Sequence, residues 1–208
     1  MRAARTLPMI IERTGRDEYA IDPYSKLLAG RIVMLTGPLD DALANAVVSQ
    51  LLCLDHDSPT RDISLYVNSP GGSVTAALAV YDTMNALAAD VETVCVGQAA
   101  GAAAVLLAAG APGRRMLLPH ARVVLRQPSL SATAPGMSAA DLVIQAGELT
   151  RAADVVAVAL ARHTGRPVER VRRDLARDTI LTGTAAREYG LVDDLVSARP
   201  SAPWARAS

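Results

Sequence analysis

The side chains that most often catalyse reactions or hold metal ions are few in this chain and scattered along it. Its 208 residues include three histidines and two cysteines. Cys53 and Cys95 lack the short spacing of a metal site, and each lies in an apolar run, which predicts two buried free thiols. Unpaired thiols are typical of a reducing compartment. The sequence therefore predicts neither a metal site nor a cofactor.

Three further features indicate no function when each is taken alone. The segment 68–72, Asn-Ser-Pro-Gly-Gly, is typical of a turn between a strand and a helix. It lacks the Gly-Lys-Ser/Thr of a phosphate-binding loop. The small residues 99–104 favour close packing of a helix. Asp178 alone indicates a solvated carboxylate or a helix cap.

Length and composition narrow the class of protein. A chain of 208 residues, 50% hydrophobic, can form one domain with a substantial core. Lysine plus arginine and aspartate plus glutamate number 21 each, so no overall charge favours nucleic acid or an anionic membrane. No apolar run approaches the ~20 residues of a membrane span, and no secretion signal follows the basic start. We expect a cytoplasmic protein with no membrane or nucleic-acid partner.

Alternating strand and helix patterns predict the elements that position these residues. Residues 63–67 and 91–96 are predicted strands. Apolar stripes at helical spacing run through residues 40–54 and 74–87. Such alternation predicts an α/β fold with mostly parallel strands.

The longest predicted helix covers residues 139–163. Ser138 and Asp141 make a capping-box-like start, and Gly165 is placed to end the helix. The preceding residues 127–137 are rich in Ser, Ala, Pro and Gly and have little to bury. A projecting loop followed by a long helix favours a role in assembly.

A set of short motifs in a consistent order resembles the Clp protease proteolytic subunit family from Leu7 to about Val196. No single tripeptide is specific, whereas the whole series at consistent spacing is. The matching segments are LPMIIE at 7–12, YSKLL at 24–28, LTG at 35–37, YVNSPGG at 66–72, YDTM at 81–84, GQAA at 97–100, HTG at 163–165 and EYGLVD at 188–193.

The resemblance implies one domain, residues 1–196, folded as a Clp protease/crotonase-like spiral of ββα units with a projecting handle helix. Within it, residues 1–23 would line an axial entrance and residues 127–163 would form the handle. Residues 197–208 would be a flexible tail. The family forms heptameric rings that stack into a tetradecamer fed by a Clp ATPase. Homomeric rings and rings mixed with active Clp proteolytic subunits both remain open.

The resemblance also implies a serine, histidine and aspartate triad, whose positions here are Gly101, Arg126 and Asp178. Glycine offers no nucleophile, and a guanidinium has no acceptor and stays protonated near neutral pH, so it cannot serve as the base. The sequence therefore predicts no functional catalytic residue and a pseudo-peptidase instead of an enzyme. We expect an ion pair between Arg126 and Asp178, because an unpaired buried carboxylate is costly. The backbone of Gly72 and Ala102 matches the family's oxyanion donors.

Two sets of positions that the family uses for assembly are altered. Arg177 and Gln127 are expected at the contact between rings, but the family's glutamate before Arg177 is Ala176, which favours a partner subunit that supplies the carboxylate. For the ATPase, Ser64 and Ala86 replace aromatic residues, which predicts weak docking or docking through a partner ring. The other residues expected in that docking cleft are Tyr66, Val94, Val96, Met116 and Leu118.

One function is preferred from these inferences, and two alternatives stay open. The preferred function is a catalytically inactive Clp proteolytic-subunit paralogue, a structural or regulatory component of a barrel-shaped, ATP-dependent Clp protease. The first alternative is an active serine-type endopeptidase subunit whose nucleophile is non-standard or supplied by a partner. The second is a crotonase-like acyl-CoA-binding protein, because that superfamily shares the fold. The sequence identifies neither the partner subunits nor the ATPase.

Overall fold

In the described residues, the fold combines a seven-stranded sheet with flanking helices and a separate two-stranded hairpin. A computed structural model describes residues 8–14, 17–129 and 138–196. The predicted tail and most of the loop predicted at 127–137 lie outside these residues. The strands are β1 Ile10–Thr14, β2 Asp17–Ile21, β3 Ile32–Thr36, β4 Ile63–Ser69, β5 Val91–Ala100, β6 Arg115–Leu117, β7 Arg122–Leu125, β8 Thr179–Thr182 and β9 Asp194–Leu195. The helices are α1 Pro23–Ala29, α2 Asp41–Asp57, α3 Val74–Ala86, α4 Ala102–Ala108, α5 Ala139–Thr164, α6 Val168–Leu175 and α7 Gly183–Tyr189.

Parallel pairing dominates the large sheet, which confirms the predicted α/β class. The order is β3-β4-β5-β6-β9, and β7 pairs with both β5 and β8. Of these pairs, only β7–β8 is antiparallel in the described chain. Strand β5 runs beyond its predicted end at residue 96, because its first part pairs with β6 and its last three residues pair with β7. That change of partner depends on tertiary packing and has no local sequence signal.

Helix α4 lies in the core, where it packs against β5 of the sheet and against α3 and α5. All seven residues of α4 are buried, so the small residues there do serve close packing. Helix α2 buries the stripe that includes Val47 and Leu51. Cys95 is buried in β5, and burial raises the pKa of its thiol to about 12. The prediction for Cys53 is wrong, because it lies on the exposed face of α2.

Helix α5 has the ends that the sequence predicts. Ser138 and Asp141 form the capping box, and Gly165 ends the helix in the left-handed conformation at φ 69°. Its second half packs on the core, whereas Val143 and Ile144 in its first half are 72% and 65% exposed. The first half therefore projects as an unpartnered apolar segment. Among the described helices none has both the length and the apolarity to cross a membrane.

Arg115 on β6 ties the ends of three helices to the sheet. Its Nε and its backbone N–H donate to Asp193 Oδ2 at 2.9 and 3.0 Å. Its NH1 donates to the carbonyls of Ala108, His163 and Gly190, at the ends of α4, α5 and α7. These bonds to Arg115 lower the pKa of the Asp193 carboxyl below its usual value. The side chains of Arg115 and Asp193 are only 11% and 22% exposed, so this ion pair serves the structure of the fold.

Candidate functional site

An open cleft of about 770 Å³ lies where β4, β5 and β7 end, beside the projecting part of α5. The turn after β4 contributes Gly72, and the start of α4 contributes Gly101 and Ala102. The residue that follows β7, Arg126, completes this wall. In a parallel sheet these carboxyl ends share one edge, which explains how residues far apart in sequence meet here.

Gly101 forms a sharp turn between β5 and α4. Its φ of 53° and ψ of −121° lie outside the regions that L-residues adopt without strain. Its N–H donates to Val124 O at 2.8 Å, which fixes the turn against β7. A Cβ placed on Gly101 would find Arg126 O, at 4.0 Å, as its nearest neighbour. A strained strand-to-helix turn of this kind presents the nucleophile in many hydrolases, and here space exists for a side chain that the residue lacks.

Two backbone N–H groups at the cleft come from Gly72 and Ala102. Ala102 is the first residue of α4, so its N–H has no acceptor within the helix. Gly72 has φ 153°, and a Cβ there would lie 2.1 Å from Leu39 O. Glycine is therefore required at this turn, which brings the backbone close to its neighbours. Amides placed in this way can donate to an anionic or carbonyl oxygen in the cleft.

Arg126 and Asp178 form the ion pair that the sequence predicts. Arg126 Nε lies 2.9 and 3.0 Å from the two carboxylate oxygens, and its NH2 also contacts Oδ2. The arginine hydrogen bonds lower the pKa of Asp178, and the same contact raises the pKa of Arg126. The expected reason was wrong, because the side chains are 52% and 46% exposed and not buried. The pairing follows from the sheet register, since Leu125 and Thr179 are the adjacent cross-strand partners.

None of the three histidines lines the cleft. His56 and His120 are exposed, near the end of α2 and before β7 respectively. His163 lies 2.9 Å through Nε2 from Tyr81 OH, and burial, with the nearby Arg162, lowers its pKa. In the described parts of the chain, no group of three His, Cys, Asp or Glu residues could hold a metal ion.

Sequence reasoning did not assign Glu148 and Arg151 of α5 to the cleft. Both line it, and they form an ion pair in which Arg151 Nε lies 3.0 Å from Glu148 Oε2. Their spacing of three residues could have indicated a pair on a helix surface. It could not show which surface faces the cleft, because that depends on how α5 crosses the body of the protein.

Most of the residues expected at assembly contacts lie outside the cleft, whereas Gln127 also lines it. Arg177 is exposed between α6 and β8, and the backbone of Gln127 donates to Leu175 O at 3.2 Å beside it. Ala86 is exposed at the end of α3. Of the residues expected in the docking cleft, Tyr66, Val94 and Met116 form one row on the face of the sheet opposite the core, and Val96 follows two residues further along β5. Leu118 follows β6 and packs, partly buried, against the core.

Comparison with known proteins gives long matches to one kind of protein. Residues 15–199 match the family described as Clp protease. The ATP-dependent Clp protease proteolytic subunit 3 of Frankia casuarinae is 51% identical over 97% of this chain and 93% of that protein. A putative ATP-dependent Clp protease proteolytic subunit-like protein of Streptomyces coelicolor is 53% identical, over 97% and 95%. The ATP-dependent Clp protease proteolytic subunit 2 of Mycobacterium tuberculosis is 48% identical, over 95% and 92%.

These relatives correct one prediction. The sequence led us to expect a pseudo-peptidase and no enzyme, and that prediction is wrong on this comparison, because the relatives are named proteolytic subunits of a protease. The prediction rested on the side chains at positions 101 and 126, whereas the similarity to proteolytic subunits extends over nearly the whole length of the chain. The resemblance itself is confirmed, and the chain belongs to the Clp protease family.

Proposed function

We propose that this chain is a structural or regulatory subunit of a barrel-shaped, ATP-dependent Clp protease in the cytoplasm. The ion pair between Arg126 and Asp178 carries the proposal, because Arg126, which lines the cleft, engages a carboxylate that would otherwise orient a histidine. The two free thiols, of which Cys53 is exposed, support a reducing compartment. Peptide hydrolysis is then an activity of the assembly to which this chain contributes.

The chemistry of the cleft supports a role in holding peptide. The amides of Gly72 and Ala102 can donate to a peptide oxygen, and the open cleft admits an extended chain. Hydrolysis needs in addition a nucleophile and a base, and neither Gly101 nor Arg126 has the required group. In a mixed ring, hydrolysis then takes place in the clefts of the subunits that have the serine and the histidine. The number of copies of this chain in the barrel then sets how many clefts hold peptide without a serine and a histidine, which is a means of regulating the protease.

The projecting helix supports assembly into stacked heptameric rings. One domain, residues 1–196, would contain an axial segment at 1–23 and a handle at 127–163. Leu142, Val143 and Ile144 on the first half of α5 are exposed at 42%, 72% and 65%, more apolar surface than an isolated chain would favour. The opposing ring would cover them. Arg177 is exposed beside Gln127 and forms no ion pair with a described residue, which suits a carboxylate from a partner subunit.

The outer face of the sheet supports docking of a Clp ATPase. Tyr66 lies between Met34 and Val94 in the strand register, and Met116 follows Val94 on β6. This face stays partly exposed although most of its side chains are apolar. Because Ser64 stands where the family has an aromatic residue, we expect docking weaker than to a serine-bearing subunit, or docking through such a subunit.

A second candidate function is an endopeptidase whose nucleophile comes from a partner or from an unexpected residue. The space at Gly101 favours it, since a Cβ there would meet no atom closer than 4.0 Å. A partner side chain could reach this open position. The two candidates differ in whether hydrolysis takes place in the cleft of this chain.

Mixed complexes distinguish the first candidate from hydrolysis by any nucleophile other than the active serine of the partner. This chain would carry the only affinity tag and be co-expressed with a serine-bearing Clp proteolytic subunit of the same organism, either native or with its serine changed to alanine. We expect peptidase activity in the tagged complex with the native partner and none with the altered partner. Activity that persists with the altered partner would place hydrolysis in the cleft of this chain or at a group that it supplies. If the partner subunit does not co-purify with the tagged chain, the proposed mixed assembly is wrong.

A further inference from the structure

One carboxylate lies at the border of the apolar outer face of the sheet, and no described residue gives it a cationic partner. We propose that Glu92 selects a docking loop that carries a lysine or arginine next to its apolar residues. This inference rests on the proposed docking of a Clp ATPase on this face, and it specifies the chemistry of the loop. A loop with apolar residues and a neighbouring basic residue would bind, whereas a loop with acidic residues would be rejected.

The strand register places Glu92 on the docking face. Ser64 pairs with Ile32 on one side and with Glu92 on the other, so these three residues form one row across β3, β4 and β5. Two residues further along the strands, the next row on the same face includes Tyr66 and Val94. Glu92 is half-buried and lies one row from these apolar side chains on the same face.

Among the residues that the structure describes, Glu92 has only a neutral hydrogen-bond partner. The hydroxyl of Ser64 donates to Glu92 Oε1, and no described lysine or arginine forms an ion pair with it. The nearby guanidinium of Arg114 is engaged with Asp62 and Asp90 and does not neutralise Glu92. One carboxylate oxygen thus keeps its capacity to accept from an incoming group.

Burial of Glu92 on docking favours a positively charged loop. A loop that covers Tyr66 and Val94 would also remove water from Glu92, and an unpaired carboxylate that loses water is costly. A lysine or arginine in the loop offsets that cost with a charge-assisted hydrogen bond, whereas an acidic loop adds like-charge repulsion. Ser64 holds the carboxylate towards the face, so it acts as a positioning residue.

Binding of the organism's own Clp ATPase to assembled rings that contain this chain tests the inference. Three variants are compared with the native chain: Glu92→Gln, Tyr66→Ala and Asp82→Asn. Asp82 is exposed on α3, on the helix side of the sheet, so its change removes the same charge away from the face. We expect Glu92→Gln to weaken binding roughly tenfold or more, the size of a charge-assisted hydrogen bond. It should also reduce the salt dependence of binding, while Asp82→Asn leaves both unchanged.

The outcomes separate the inference from the proposal on which it rests. If Tyr66→Ala weakens binding and Glu92→Gln does not, the face docks the ATPase but Glu92 does not select the loop, and the inference is overturned. If neither change affects binding while the rings keep their native mass, docking on this face is wrong and the inference fails with it. Weaker binding by Glu92→Lys than by Glu92→Gln would further support a basic loop.

Discussion

Arg126 and Asp178 face each other as the first side-chain pair beyond the β7–β8 ladder, with Arg126 Nε 2.9 and 3.0 Å from the two carboxylate oxygens. Because the arginine hydrogen bonds lower the pKa of Asp178, Arg126→Gln should raise that pKa towards the ordinary aspartate value. Titration of the Asp178 carboxyl carbon by NMR measures it. We expect little change in thermal stability, since both side chains are about half exposed.

Arg177→Gln is the matched control for this pair. It removes the same charge one residue from Asp178, from an exposed arginine that makes no ion pair with a described residue. The pKa of Asp178 should stay close to its native value in this variant. Equal shifts in both variants would mean that general charge, and not the Arg126 contact, sets the carboxyl pKa.

Two glycines of the cleft should respond very differently to alanine. At Gly101 the backbone is strained for an L-residue but a Cβ has space, so Gly101→Ala should fold and lose about 1–3 kcal/mol. At Gly72 a Cβ would lie 2.1 Å from Leu39 O, so Gly72→Ala requires the backbone to move and should cost clearly more. Urea unfolding measures both free energies. A smaller loss for Gly72→Ala would contradict the geometry of this turn.

Adding a hydroxyl at position 101 and an imidazole at position 126 should create a reactive serine. The double change Gly101→Ser and Arg126→His places a nucleophile on the strained turn and a base beside Asp178. We expect covalent labelling by a fluorophosphonate to rise well above that of the native chain, as measured by intact mass. Gly101→Ser alone is the control, because Arg126 cannot take the proton. Equal labelling of the single and double variants would mean that the histidine at position 126 does not act as the base.

Acid should weaken the fold through Asp193. The hydrogen bonds from Arg115 lower the pKa of Asp193 in the folded chain relative to the unfolded chain. The resulting stability is fully present above the unfolded value of about 4 and is lost as the pH falls through the lower folded value. The free energy of unfolding should therefore fall less between pH 7 and acid in Asp193→Asn than in the native chain. Parallel pH profiles would contradict this role.

Much of the fold could be predicted because local patterns and tertiary packing agree. The capping box of Ser138 and Asp141 and the left-handed Gly165 bound α5 as the sequence indicates. The apolar stripe of α2 faces the core for the same reason, since burial follows the helical period. Cys53 was misplaced because an apolar run on a helix still has one solvent face, and the run alone does not show which residue occupies it.

The site could be predicted only in part. The ion pair of Arg126 with Asp178 followed from the family resemblance, which places these two oppositely charged residues at one site. Its exposure did not follow, because that depends on the width of the cleft. The contribution of Glu148 and Arg151 depends on the crossing of α5, for which no short sequence signal exists. The pairing of Ser64 with Glu92 required the register of β4 and β5.

The mass of the native assembly tests most directly the claim that this chain is a subunit of a mixed Clp protease. This chain and a serine-bearing Clp proteolytic subunit of the same organism would be co-expressed, purified through a tag on this chain, and measured by native mass spectrometry. We predict ring complexes that contain both subunits in a defined ratio. Rings of this chain alone, with the other subunit found only in separate complexes, would contradict the claim.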